Sequence, residues 1–232
     1  MLIHGFLSDS HYWNRLVKEL SKNHRVITID LLGFGKSPKP RHAQYSLDQH
    51  AALVIDTLES LLDEPAVIVG HSMGALIAAR ISQLAPKLVE RLVLCNMPLY
   101  TSPEQARGVI KRTNLPYRLA LYSPAARVLW PVIKTIAPRG KLRLGPAGAF
   151  SPHHTYQSRK RSLTHTVEAT DAVALLHSLT VPTALICGSY DRAVYRKNIE
   201  QETFPANITI KWVETGHHTP LRHPELILPE LH

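Results

Sequence analysis

The stretch Ala66-Val67-Ile68-Val69-Gly70-His71-Ser72-Met73-Gly74 decides how this chain is read. Its first four residues form a short apolar run, three of them β-branched, which predicts a buried strand. From Met73 to Leu84 a helix is expected. Between the two lies G-x-S-x-G. A chain passing from strand to helix within so few residues must turn sharply, and side chains at positions 70 and 74 would obstruct the turn. Glycine at both positions removes the obstruction. Ser72 is therefore expected to project at the carboxyl end of the strand, with the N-terminus of the next helix beneath it.

Working outward, short apolar runs alternate with helical patterns. Arg25 to Asp30 reads as a buried strand, followed by the turn-forming Gly33 and Gly35. A helix is predicted from Ser46, where Ser46 and Gln49 have capping-box spacing and Leu47, Ala51, Val54, Leu58 and Leu61 make an apolar face. Leu88 to Cys95 reads as the next strand. The alternation stops at Pro98. Up to Thr166 the chain is rich in Pro and Arg, with helical fragments such as Arg118 to Ile136 interrupted at Pro124 and Pro131. It resumes with a helix from Val167 to Leu179, the strand Thr183 to Cys187, a helix from Val194 to Thr203, the strand Ile208 to Val213, and a short helix after Pro220. Strands that are apolar throughout, separated by helices, predict an α/β fold with a mostly parallel central sheet flanked by helices. Residues 1–97 and 167–232 are expected to form the body and 98–166 a helical insertion.

Length and composition agree with one large domain: 232 residues, 44% hydrophobic and 19% charged. No run approaches the roughly 18–20 apolar residues of a membrane-spanning helix. Met1 to Gly5 lacks the basic and apolar regions of a signal peptide. Cys95 and Cys187 both sit in apolar strand-like runs and are expected to be buried, reduced thiols, which suggests a cytoplasmic location. The formal charge of +9 raises nucleic acid or anionic membrane as partners, but its distribution argues against a general role. Residues 99–165 hold 12 of the 27 Lys and Arg but only Glu104 of the 18 acidic residues, leaving 15 basic and 17 acidic elsewhere. The excess belongs to the insertion, which carries no nucleic-acid-binding motif.

A serine hydroxyl is a weak nucleophile at neutral pH and needs a neighbouring base, itself oriented by a carboxylate. With the serine in a strand–helix elbow, the acid and then the histidine are expected later in the chain. Asp191, in Gly188-Ser189-Tyr190-Asp191, follows the strand Thr183–Cys187. His217, in Glu214-Thr215-Gly216-His217, follows the strand Ile208–Val213. All three candidates thus lie just beyond carboxyl ends of strands, where open α/β sheets bind ligands. Asp191 could instead cap the next helix, and His218 stands beside His217 as a competitor. Asp30 and Ser37 are read as residues that order the turn after their strand, and His4 as a structural hydrogen-bonding residue. His153, His154 and His165 lack metal-ligand spacing and read as a solvated loop.

With these residues in place, the chain resembles the α/β-hydrolase superfamily, in its lid-bearing esterase, lipase and C–C hydrolase branch. The likeness rests on His4-Gly5-Phe6, Asp30-x-x-Gly33-x-Gly35-x-Ser37, the elbow at 70–74, Gly188-x-x-Asp191, and Gly216-His217 followed by His223-Pro224-Glu225. It runs almost end to end except through 98–166. The resemblance implies a Ser72–His217–Asp191 triad acting on a carboxylic ester or related acyl compound, with no metal or organic cofactor. It also implies an oxyanion hole made by the backbone N–H groups of Phe6 and Met73. C–C bond hydrolysis, acyl transfer on the same triad, or ligand binding with little turnover are the alternatives.

By the same resemblance 98–166 is the lid. Leu119, Leu121, Tyr122, Val128, Leu129, Trp130, Val132 and Ile133 are expected to line an apolar pocket for a small acyl substrate. The arginines could meet an anionic group on that substrate or a membrane surface, or form a solvated face. The superfamily's sheet also begins before the His-Gly loop. Met1-Leu2-Ile3 reads as the end of a central strand, which predicts that Met1 is an internal methionine of a longer natural protein.

Overall fold

The computed structural model describes residues 1–112, 115–123, 125, 128, 132 and 148–231, and among these the apolar runs and helical patterns become six strands and nine bounded α-helices. In chain order these are β1 (Leu2–Ile3), α1 (Asn14–Leu20), β2 (Thr28–Ile29), α2 (Leu47–Leu61), β3 (Ala66–His71), α3 (Met73–Leu84), β4 (Val89–Cys95), α4 (Pro103–Lys111) and α5 (Leu115–Tyr122). Then follow α6 (Tyr156–Ser162), a π-helical turn (Leu163–Val167), α7 (Ala172–His177), β5 (Thr183–Gly188), α8 (Arg196–Glu200), β6 (Ile208–Val213) and α9 (Thr219–Arg222).

All six described strands pair in parallel, in the order β2-β1-β3-β4-β5-β6. The strand order reverses between β1 and β3, and such a switch point opens a crevice at the carboxyl ends of the strands. The middle of the sheet is covered on both faces. Ile68, Val69, Leu92, Val93, Leu94 and Cys95 are all at most 1% exposed, so both side-chain directions of β3 and β4 reach core. Burying each of the larger aliphatic side chains contributes about 1.5–3 kcal/mol. The helix behind the elbow, α3, packs against β1, β3, β4, α2 and α7, which is why it is apolar on nearly every side.

Several expected bounds shift for identifiable reasons. The strand expected at Arg25–Asp30 narrows to Thr28–Ile29, because a ladder extends only as far as its partner and β1 has two residues. The Ser46 hydroxyl accepts from the Gln49 N–H at 3.2 Å, as the capping pattern predicts. The reciprocal bond moves one residue back: the Tyr45 N–H, not that of Ser46, donates to the Gln49 side chain at 2.8 Å. The helix expected from Val167 to Leu179 is divided. Asp171 caps a new helix by accepting from the Ala174 N–H at 2.9 Å, so the first part closes as the π-helical turn. Within the stretch expected to hold broken helical fragments over Arg118–Ile136, a helix starts earlier, at Leu115, and ends at Tyr122, and Val128 and Val132 are again helical; Ile136 lies outside the described residues.

Residues 151–168 pack on the body of the sheet and its helices. The Ser151 N–H donates to the Leu7 carbonyl at 2.8 Å, Thr166 donates to the Tyr45 carbonyl at 3.0 Å, and Arg161 donates to the carbonyls of Arg41 and Ala43. Glu168, 1% exposed, accepts from Arg107 on α4 at 2.9 Å and from the Tyr122 hydroxyl on α5 at 2.8 Å. Among the described basic residues of the insertion, Arg107 and Arg161 bond to the fold and Arg159 is buried, whereas Lys111, Arg112, Arg118 and Lys160 are exposed as a solvated face would be. His154 also departs from the solvated loop expected for it. It is buried between the rings of Phe34 and Phe150, and burial pushes its pKa down to about 3, which keeps it neutral. Among the described residues no helix is long and apolar enough to cross a membrane.

Candidate active site

The strand β3 ends at His71 and α3 begins at Met73, leaving Ser72 alone in the turn with φ 53° and ψ −120°. A non-glycine residue held there stores about 1–3 kcal/mol of strain and persists only if its surroundings impose it. They do. The Ser72 N–H donates to the Cys95 carbonyl of β4 at 2.9 Å, and the Ser72 carbonyl accepts from Ala75 at 2.9 Å. The turn leaves no room beside it. A Cβ on Gly70 would lie 2.4 Å from the Gly74 carbonyl oxygen, and one on Gly74 would lie 2.3 Å from that of Ile3. Both obstacles are backbone and cannot swing away. Gly74→Ala is accordingly expected to cost about 3 kcal/mol through overpacking, read as a lowered urea midpoint; an unchanged midpoint would mean that β1 yields freely.

The acid and the histidine come from the next strands in the sheet. Asp191 follows β5, and its N–H donates to the Gly188 carbonyl at 3.0 Å. His217 follows β6 on a loop tied by Thr215 and Thr219, whose hydroxyls meet at 2.6 Å. His217 Nε2 lies 3.0 Å from Ser72 Oγ, and His217 Nδ1 lies 2.8 Å from Asp191 Oδ2. With Nδ1–H donating to the carboxylate, Nε2 is left as the acceptor for the serine proton. The structure thus brings Ser72, His217 and Asp191 together and leaves His218 out of the chain of contacts.

Electrostatics favour these protonation states. Burial pushes the Asp191 carboxyl up, but His217 and donors from Ala193 and Asn96 outweigh it and hold the group below its ordinary 3.8. Burial also opposes charge on His217, yet the Asp191 carboxylate and its hydrogen bond hold the imidazole above its ordinary 6.5. Neighbouring histidines stay neutral. Burial and the adjacent imidazoles drive His71 well below 6.5, and burial with His217 takes His218 to about 3.

Three residues around the site carry no signal that sequence reasoning used. Asn96 donates to Asp191, His71 donates through Nε2 to the His217 carbonyl at 2.7 Å, and Tyr12 stacks on His71 with centroids 4.5 Å apart. Asn96 directly follows β4, as Asp191 and His217 lie within a few residues of the ends of β5 and β6, and that shared placement was the available clue. Asp30 and Ser37 order their turn and His4 is a structural hydrogen-bonding residue, as expected. His4 Nε2 accepts from the Leu31 N–H at 3.0 Å, Asp30 accepts from the Ser10 and Lys36 N–H groups at 2.7 Å, and Ser37 donates to the Asp30 carbonyl. Cys95 and Cys187 are buried free thiols, and burial pushes that of Cys187 up to about 12.

Ser72 faces a cavity of about 300 Å³ whose walls include Phe6, Tyr100, Ile110, Phe150, Leu163 and Val167. The Gly5 backbone lies against the elbow, since a Cβ there would sit 3.1 Å from that of Ser72. Phe6 therefore stands beside the serine. Met73, as first residue of α3, has an N–H that the helix does not use. The described residues among those expected to line the pocket lie elsewhere. Leu119, Tyr122, Val128 and Val132 are exposed, Leu121 is buried in the core, and Leu129, Trp130 and Ile133 lie outside the described residues. Among the described residues the walls include Val109 and Ile110 of α4 and Leu163 and Val167 of the π-helical turn. A cavity of about 590 Å³ lies at the opposite, amino-terminal end of the sheet, against Met1, Val26, Ile27, Val67 and Val69. Among the described residues no group of three or more His, Cys, Asp or Glu could hold a metal ion.

Comparison with known proteins gives a consistent picture. A sequence model of the alpha/beta hydrolase fold matches residues 1–164. The "Probable lysophospholipase BODYGUARD 4" of Arabidopsis thaliana is 38% identical over 133 residues, 54% of this chain and 30% of that protein. The chain spans about a third of the length of this and similarly matched curated relatives. The "Uncharacterized hydrolase YugF" of Bacillus subtilis is 27% identical over 97% of this chain and 85% of its own. Among solved structures, a bromoperoxidase from Bacillus anthracis superposes with TM-score 0.74 at 21% identity, covering 99% of this chain and 90% of that one. An enol-lactonase from Burkholderia xenovorans superposes with TM-score 0.72 at 22% identity, covering 98% and 87%. At these identities the structural likeness speaks for the fold alone.

Proposed function

We propose, from the premise that this chain belongs to the α/β-hydrolase fold family, that it is a serine hydrolase cleaving a carboxylic ester or related acyl compound. The observation that carries the reading is the unbroken chain of contacts from Ser72 Oγ to His217 Nε2 and from His217 Nδ1 to Asp191. Ser72 Oγ attacks the acyl carbon while its proton passes to His217 Nε2. The carbonyl oxygen gains negative charge, and the N–H groups of Phe6 and Met73 are the donors for it, worth about 3 kcal/mol each in comparable sites. The bond to the alcohol then breaks, and the alcohol leaves with the proton from His217. Water, giving its proton to the same imidazole, attacks the acyl-enzyme. The acid departs and the proton returns to Ser72.

The apolar walls support an acyl chain as the group bound beside Ser72, with α4 and Phe150, from the stretch read as the lid, among those walls. A fluorophosphonate is expected to modify Ser72, located by mass spectrometry, and p-nitrophenyl esters of graded chain length are expected to be hydrolysed. A folded protein that does neither is not a serine hydrolase.

The pH dependence follows from His217, which accepts a proton only when neutral. Activity is expected to be low in acid and to rise as pH passes through the imidazole's pKa, with a midpoint above 6.5 because Asp191 favours the charged form. A kcat profile with its midpoint below 6.5 would show that burial, not Asp191, governs the base.

A further inference from the structure

The carboxylate and the histidine lie on separate loops, after β5 and after β6. One side chain from a third strand end touches both. Asn96 follows β4, and its Nδ2 lies 3.0 Å from Asp191 Oδ2 and 3.1 Å from the carbonyl oxygen of Gly216, the residue before His217. Both neighbours are acceptors, so the amide must present its nitrogen to them, one N–H to each. Asn96 is fully buried, and its own N–H is fixed to the Ile186 carbonyl of β5 at 2.8 Å. Its backbone is left-handed, φ 51°, a conformation that Asn and Asp adopt more readily than other side-chain-bearing residues.

We propose that Asn96 is the positioning residue of this site, holding the Asp191 carboxylate and the His217 loop in mutual register through the two protons of one amide. The proposal rests on the reading of Ser72, His217 and Asp191 as the reacting set. Asp191 Oδ2 receives His217 Nδ1–H and Asn96 Nδ2–H together, so the amide fixes where on the carboxylate the imidazole must point. Its second proton draws the Gly216 carbonyl to the same place. A strut of this kind sets the orientation and charge of the acid without touching substrate.

The titratable groups packed around the pair are few. His71 faces His217 from the elbow and His218 from its own loop, both kept neutral, with Arg222 beside His218. Tyr12 stacks on His71 with its phenol pushed well above 10, and burial, with the charge of Asp191, pushes the Cys187 thiol up to about 12. Over the range in which His217 titrates, the wild-type site therefore has one ionisation to show.

The test is titration of the His217 ring by NMR in the folded, histidine-labelled protein, wild type beside Asn96→Asp and Asn96→Ala. Asp tolerates the left-handed backbone and matches Asn in shape, which guards against a variant that merely fails to fold. The carboxyl introduced by Asn96→Asp can replace the amide toward Asp191 only while it keeps a proton, since two adjacent carboxylates resist joint ionisation. The expected result is one titration step at His217 in wild type and two coupled steps in Asn96→Asp. In Asn96→Ala the Nδ1 proton signal should move upfield. The rate of fluorophosphonate labelling should fall about ten-fold, the scale of one hydrogen bond to a charged group. A single step at the wild-type midpoint in Asn96→Asp, with the Nδ1 signal unmoved in Asn96→Ala, overturns the proposal. The NMR readout needs no turnover. An unlabelled wild type would sink the hydrolase reading, while the titration would still decide whether Asn96 acts on the Asp191–His217 pair.

Discussion

Replacing Ser72 by alanine is expected to lower turnover of an activated ester by about 10⁵-fold or more, and to remove the fluorophosphonate adduct altogether. The size follows from what is deleted and what is left. The variant loses the hydroxyl that Nε2 of His217 faces at hydrogen-bond distance, so no acyl-enzyme can form. It keeps the His4-Gly5-Phe6 loop, the helix N-terminus at Met73 and the apolar cavity, none of which depends on the hydroxyl. A small residual rate above the uncatalysed reaction is therefore expected, from water attacking a bound and polarised ester. Stability should move little, because one hydrogen bond contributes about 1 kcal/mol and the elbow's backbone bonds to Cys95 and Ala75 remain. Steady-state kinetics and a thermal melt on the same preparation check both statements. A melt like that of wild type combined with more than a tenth of its turnover would move the chemistry away from Ser72.

Where the sequence was legible, a local pattern was enough to define the element. The helix Met73–Leu84 and the strand Ile208–Val213 have the expected bounds, since their periodicity and flanks need no partner to be read. Ser72, Asp191 and His217 were legible for a related reason: each follows a strand that the pattern exposes, and the parallel sheet gathers those strand ends along one edge. What was not legible depends on neighbours far away in the chain. The length of β2 is set by β1, and nothing within Arg25–Asp30 records that. The apolar residues of 119–133 and those of α4 look equally able to line a pocket. Only the packing decides that Ile110 and Leu163 face Ser72 while Leu119 and Val128 face solvent. His154 reads as polar until two phenylalanine rings close over it. Asn96 is the sharpest case: alone it is one more asparagine in a turn, and its meaning lies in two acceptors that arrive 95 and 120 residues later.

Asp191→Asn is expected to lower kcat by about 10⁴-fold near neutral pH, although it changes one heavy atom. The carboxylate accepts three hydrogen bonds: His217 Nδ1 and Asn96 Nδ2 on Oδ2, and the Ala193 N–H on Oδ1 at 2.8 Å. An amide has one oxygen and must choose. If its oxygen takes the Oδ2 position, His217 and Asn96 keep their acceptor, but the new NH₂ is pressed against the Ala193 N–H at a side chain only 2% exposed. If the amide flips, Ala193 is satisfied while the NH₂ meets the Asn96 amide and donates to Nδ1. That second arrangement forces the imidazole proton onto Nε2, the nitrogen that must accept from Ser72. Either orientation loses the base or sets donor against donor. The charge is lost as well, so nothing offsets the burial that opposes an imidazolium, and the histidine's pKa should fall below its ordinary 6.5. The residual activity should therefore reach its plateau at lower pH than wild type, opposite to what added negative charge would do. Measuring kcat against pH for both proteins on one ester separates the effects, amplitude reporting tautomer and midpoint reporting charge. A variant within ten-fold of wild type, with its acid limb unmoved, would exclude Asp191 as the partner of His217.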